Sequence, residues 1–393
     1  MMLRLGLYRK LPACSLCSKQ AIACLFLLGI LAGCASPNRE SVQNQSLSKI
    51  PYSPTPYALQ QPVHFVKMLL PEDNPLTEEG IELGRRLFYD PLLSMNDQVS
   101  CATCHLPENA FSDGLPFSIG VSGGIGPRSS LSLANVGYYY KGLFWDGRSQ
   151  SLERQALIPV REPHEMNSDW SLVEMKLRSH PEYPALFRRA FGIREKQEIT
   201  RFLTAKALSQ FERTLISANA KYDQVLAGKA EFTESEQRGR DIFFDASEVL
   251  PNSECGHCHT DPLFTSLDFF NNGIQEVSSL DDFEDEGLGA ITNIKYDNGK
   301  FRVPTLRNIE LTAPYMHDGR FETLEEVVEH YISGGHFADN LSPNVRELKF
   351  SARDKADLIA FLKTLTDTSF TQNEAFANPF NFENQTIKII KPQ

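Results

Sequence analysis

Two short stretches carry residues that could do chemistry at a fixed spacing: Cys101, Cys104 and His105 in "CATCH", and Cys255, Cys258 and His259 in "CGHCH". Two thiols three positions apart can add to the two vinyl groups of one porphyrin. The adjoining imidazole then reaches under the ring to the iron. Zinc accepts the same residue types, but zinc ribbons bring their CxxC pairs close together in the chain. The wide separation here favours two covalently attached haem c groups, with His105 and His259 as proximal ligands. The sixth ligand then decides function. A second strong ligand makes an electron-transfer haem, whereas an open position binds and cleaves peroxide.

Each motif needs elements to hold it, and the sequence repeats them. "LTEEGIELGRRLFYD" (76–90) precedes the first motif and "FTESEQRGRDIFFD" (232–245) the second. Thr77 and Thr233 suit helix N-caps with acids in the following turn. Gly84 and Gly239 each stand six residues before an aspartate. Helix, loop, CxxCH is how a cytochrome c domain opens, so the expected fold is mainly α, with two cytochrome c-like domains each binding one haem c. Ile199, Phe202, Leu203, Leu208, Phe211, Leu215 and Ile216 predict one long amphipathic helix. Leu324, Val327, Val328 and Tyr331 mark another, and Leu358, Ile359, Leu362 and Leu365 a last one. Strand signals are sparse, and Gly/Pro-rich loops such as 114–128 fill the gaps. The acidic run "DDFEDE" (281–286) reads as solvated surface, or as a docking face for a basic partner.

The 393 residues are 41% hydrophobic and 23% charged, the composition of a soluble globular protein. A net charge of −11 gives no electrostatic footing for nucleic acid. The start, a basic segment and then "AIACLFLLGILA" (21–32), reads as an export signal, and its apolar run is too short for a spanning helix. It ends in "LAGCAS", which looks like a bacterial lipoprotein cleavage box with Cys34 as the lipidated residue. The expected boundaries are a signal peptide at 1–33, a flexible tether at 34–70 rich in Ser, Pro, Gln and Asn, domains at 71–225 and 226–370, and a C-terminal extension at 371–393. Cys14, Cys17 and Cys24 leave with the signal and Cys34 takes lipid. Only the two CxxC pairs remain, so no disulfide framework is expected.

"FSDGLPFSIGVSGGIGPRSSLSLANV", "LFWDGRSQSLERQALIPVREPHEM" and "FRVPTLRNIELTAPYMHDGRFETLEEVVEHY" together resemble the bacterial di-haem cytochrome c peroxidase and MauG family, over about Asn74 to Leu365. The resemblance implies an active site at the first haem. In family peroxidases that need reductive activation, a loop histidine directly after "SIG" caps that haem. Here the position is Val121, so the first haem is expected to be open at rest. His64 in the tether is an alternative cap. At the second haem the family's peroxidases use a Met near the end of the helix after "TAPY…HDG". Tyr331 stands there instead, as in the MauG branch, with Met316 and His317 as rivals.

The resemblance further implies that Trp145 lies between the haems and passes electrons. It makes Glu165 the distal acid/base, with Gln155 and Pro159 lining the pocket and His164 a rival to Glu165. It also implies a calcium ion held by an Asn and by backbone carbonyls, here at Ser129, Thr312 and Pro314, where Ser129 is a poorer ligand than an amide. The expected function is a periplasmic, lipid-anchored peroxidase, on the outer membrane, that reduces hydrogen peroxide to water. Its electrons would come from a small cytochrome c or cupredoxin, and a homodimer is compatible with this reading. The alternatives are a MauG-like oxidase of a protein or organic substrate, and a non-enzymatic di-haem electron relay.

Overall fold

The Thr77 side chain accepts a hydrogen bond from the Gly80 amide and starts α1 (Glu78–Tyr89), with Glu78 and Glu79 in its first turn. The cap satisfies a donor the helix cannot, and the acids complement its dipole. There follow α2 (Cys101–Cys104), α3 (Leu152–Gln155), α4 (Trp170–Ser179), α5 (Tyr183–Phe191) and α6 (Arg201–Glu212). Helices α1 and α6 cross at Gly84, where a Cβ would lie 1.9 Å from the Ala207 carbonyl oxygen. Only glycine permits that approach. Leu83, Leu87, Phe88 and Phe211 have no exposed surface and centre the first core. This computed structural model describes residues 46–247, 253 and 255–380, so the export signal and Cys34 lie outside the described residues.

The second half follows the same plan with α7 (Lys221–Leu226), α8 (Glu234–Phe243), α9 (Cys255–Cys258), α10 (Gly289–Thr292), α11 (Leu324–Ser333), α12 (Ala352–Lys363) and α13 (Thr368–Thr371). Helices α8 and α12 cross at Gly239, where a Cβ would again meet a carbonyl oxygen, that of Asp357, at 1.9 Å. Phe243, Phe264 and Phe361 centre the second core. Strands β1 (Phe269–Phe270) and β2 (Phe301–Arg302) form a two-residue antiparallel ladder.

The duplication reaches further than the helices announced. Asn135 and Asn308 both take left-handed φ (60° and 63°) before a short 3₁₀ turn. Leu143 bridges Ser149, and Tyr315 bridges Phe321. Between the members of these pairs stand "FWDGR" (144–148) and "MHDGR" (316–320). Phe144 and Met316 have φ of 64° and 76°. Trp145 and His317 are therefore equivalent positions.

Three expectations about extents are corrected. The tether does not run to residue 70. Thr55 binds Glu79 and Glu78, Tyr57 binds Leu76, and Leu47, Phe65 and Met68 are buried. The segment is irregular, and it is held by an isolated bridge from Pro56 to Thr77 and by its buried apolar side chains. The helix predicted over Ile199–Ile216 is capped by Thr200 and ends at Glu212. Beyond it, Leu215 and Ser217 exchange hydrogen bonds with Asn135, which satisfies backbone groups a further turn would have used. The residues after 370 are not a simple appendage. Phe370 and Phe376 belong to the first core, and Phe370 lies 5.5 Å from Phe111. Residues 381–393 lie outside the described residues.

The acidic run is also only partly solvated. Phe283 is buried, and Asp285 makes a two-pronged ion pair with Arg128 (2.7 and 2.8 Å), which also reaches Asp146. Such forked pairs are geometrically specific.

Candidate haem cavities and the residues between them

Each CxxCH stretch is a single helical turn ending at its histidine, and neither histidine is free to rotate. His105 Nδ1 lies 2.8 Å from the Phe111 carbonyl oxygen, and His259 Nδ1 lies 3.1 Å from that of Phe264. A carbonyl only accepts, so Nδ1 carries the proton and Nε2 is left as the metal-binding nitrogen. Among the described residues Cys101, Cys104, Cys255 and Cys258 form no disulfide. Each motif opens on its own large, mostly apolar cavity. An apolar cavity with two thiols and a tautomer-fixed imidazole on its wall fits a thioether-bound haem.

The first cavity brings together Cys101, Cys104, His105, Trp145, Gln155, Pro159 and Glu165. Helix α3 ends at Gln155, and turns through Pro159 deliver Glu165. Burial pushes the Glu165 carboxyl up to about 7. Arg148 opposes that shift and Glu162 adds to it. His164 reaches the same cavity but is largely exposed, with its ring against Gly124. Val121 does not line the cavity. Its amide donates to the Glu165 carbonyl at 2.8 Å, so its loop braces the carboxylate's backbone. His64 is taken by Asp223 (3.2 Å), itself bound two-pronged to Arg307, and is not a cap for the first cavity.

The second cavity collects Cys255, Cys258, His259, Thr312, Pro314, Met316, His317 and Tyr331. Tyr331 lies on α11, and burial raises its hydroxyl to about 12. The two rivals share one donor: Asn272 Nδ2 lies 3.3 Å from Tyr331 Oη and 3.4 Å from Met316 Sδ. His317 is instead buried, stacked on Phe301 at 3.7 Å, with burial lowering its pKa to about 4.

Trp145 lines both cavities. Its Nε1 donates to the Ser129 carbonyl at 3.0 Å, and its ring meets His317 edge-on at 6.4 Å. The Ser129 amide donates to the His317 carbonyl (2.7 Å) and its hydroxyl to the Met316 carbonyl (2.8 Å). With that hydroxyl engaged, Ser129 fits the calcium role poorly.

Sequence reading missed Asn272, Arg302 and Glu212. "FNNG" around Asn272 reads as an ordinary turn. Glu212 carries a signal that was there to be used: an acid on the apolar face of a helix. It lines the first cavity, burial raises its pKa to about 8, and its Oε2 lacks a hydrogen-bond partner.

Comparison with known proteins agrees with this arrangement. Residues 78–231 match the di-haem cytochrome c peroxidase family model. The methylamine utilization protein MauG of Methylorubrum extorquens is 38% identical over 301 residues, covering 75% of this chain and 80% of that protein. The cytochrome-c peroxidase IdrP1 of a Pseudomonas species is 33% identical, covering 76% and 83%. The crystal structure of a MauG-like protein associated with microbial copper homeostasis superposes with a TM-score of 0.77 at 37% identity, covering 82% of this chain and 99% of that one. With its two CxxCH cavities arranged about Trp145, the chain belongs to the di-haem cytochrome c peroxidase and MauG family.

Proposed function

We propose that the protein reduces hydrogen peroxide to water at the His105 cavity, with electrons from a small cytochrome c or cupredoxin. The observation that carries this reading is Glu165, a carboxyl that burial raises to about 7 on the wall of the cavity that His105 shares. Cys101, Cys104 and His105 would hold a haem c, which would supply the redox chemistry for O–O cleavage. Glu165, as carboxylate, accepts the proton of the inner peroxide oxygen and returns it to the outer one, which leaves as water. In total one peroxide, two electrons and two protons give two waters. Gln155, on the same cavity wall, is assigned to orient the bound oxygens, and Trp145, which lines both cavities, to pass electrons between them.

Each half is read as a cytochrome c-like domain. The amino-terminal pattern supports a periplasmic enzyme tethered to a membrane through lipid on Cys34. Tyr331 supports a second reading, a MauG-like oxidase of a protein or organic substrate. An anionic oxygen ligand favours ferric and higher states, which suits storage of oxidising equivalents. Steady-state turnover with reduced cytochrome c separates the two, since only the peroxidase consumes it briskly. Electron paramagnetic resonance of the as-isolated ferric holoprotein tests both readings against a plain electron relay. A high-spin component from the His105 site is expected, and two low-spin signals alone would leave only the relay.

A further inference from the structure

Among the described residues that line both cavities, Arg302 is a buried cation for which the site described above gives no role. It ends β2 at 3% exposure, and its side chain lines both the His105 and the His259 cavities. Its amide is tied to the Trp145 carbonyl (2.8 Å), its Nε to the Phe144 carbonyl (3.0 Å), and its guanidinium lies 4.5 Å over the Tyr139 ring. Its Nη1 has no hydrogen-bond partner, and none of its described partners is a carboxylate. Burial accordingly disfavours its charge, with Tyr139 the opposing influence. A buried cation without an anion is strongly destabilising, because desolvation is not offset by pairing. Arg307, equally buried, is paired with Asp223, and the half-buried Arg128 with Asp285 and Asp146.

Haem c brings the missing anions. Its vinyl edge is tied to the cysteines, and its two propionate carboxylates leave the opposite edge of the macrocycle. A guanidinium matches a carboxylate fork to fork. The cavities share the wall made by Ser129–Ser132, Trp145 and Arg302, so one guanidinium faces both. We propose that Arg302 is a shared propionate anchor, binding carboxylates of both haems and thereby coupling the two irons electrostatically. This rests on the di-haem reading. It goes beyond that reading in assigning one residue to both groups.

The test is a potentiometric titration of the full-length holoprotein, with haem counted by the pyridine haemochrome assay. Removing the cation leaves the propionates uncompensated and favours the ferric state. In R302Q both midpoint potentials fall, each by about tenfold in the reduction equilibrium, or ~59 mV for one electron. R302K keeps the charge and restores most of that. Two unshifted potentials, or a shift confined to one haem, would overturn the proposal. If R302Q does not fold, R302K still decides through resonance Raman. The propionate bending bands of both haems move as a fork is exchanged for a point donor, and unmoved bands overturn the anchor. A parent chain with fewer than two haems would instead sink the family reading on which the experiment stands.

Discussion

The two halves begin their distal segments alike and end them differently. Ser151 caps α3 and Thr323 caps α11, each directly after a bridged "DGR" turn. Helix α3 stops after four residues, whereas α11 runs for ten. Pro159 follows α3 closely, and a proline disfavours helix at the residue before it. No proline interrupts α11, which ends only where Gly334 takes φ 86°. The short helix releases a loop that presents the Glu165 carboxyl, while the long one carries Tyr331 to the other cavity. One scaffold thus makes two chemically distinct sites by changing where a helix ends.

The largest effect should come from the Glu165 carboxyl, which has no counterpart among the described residues lining the second cavity. E165Q is expected to lower peroxide turnover by about 10²–10⁴, the usual share of a positioned proton carrier, measured with reduced cytochrome c. Unchanged turnover would erase the functional contrast between the halves. In the parent, a protonated Glu165 cannot accept a proton. Activity should therefore rise with pH through about 7 and fall below it, a limb that E165Q removes.

The likeness of the halves is tested by stability. G84A and G239A each force a Cβ against backbone of the partner helix, and each should cost about 1–3 kcal/mol or more in denaturant unfolding. A harmless substitution at either site would mean that the two crossings are not equivalent.

The second cavity's ligand is settled by spectroscopy. Y331F should abolish the low-spin ferric signature of the His259 site, and M316L should leave it in place; the reverse outcome would hand the position to Met316. An effect on stability alone is expected at Glu212. Its pKa, raised to about 8 in the fold, makes the unfolded chain release its proton first, so stability falls as pH rises from about 4.5 towards 8. E212Q should flatten that slope in a thermal-melt series.

The sequence was most informative where chemistry and backbone coincide. CxxCH, the Thr caps and the two helix-crossing glycines each constrain local geometry, and all appear in the structure as paired features. It was least informative where a role depends on a distant partner. His64 gains meaning only from Asp223, Asp285 from Arg128, and Asn272 from Tyr331 and Met316. None of these pairs leaves a local period or spacing. The "FWDGR" and "MHDGR" turns were visible as text but too diverged to declare kinship until their matching positive φ angles did so.

The return of Phe370 and Phe376 to the first core has a consequence for biogenesis. Tyr89 donates to the Phe376 carbonyl, and Arg85 to those of Glu374 and Ala377. The amino-terminal half is therefore sealed by residues that a ribosome adds only after the whole second haem motif and α12. Severing the gene midway should not yield two self-sufficient pieces, because maturation of the earlier portion waits on delivery of the later one.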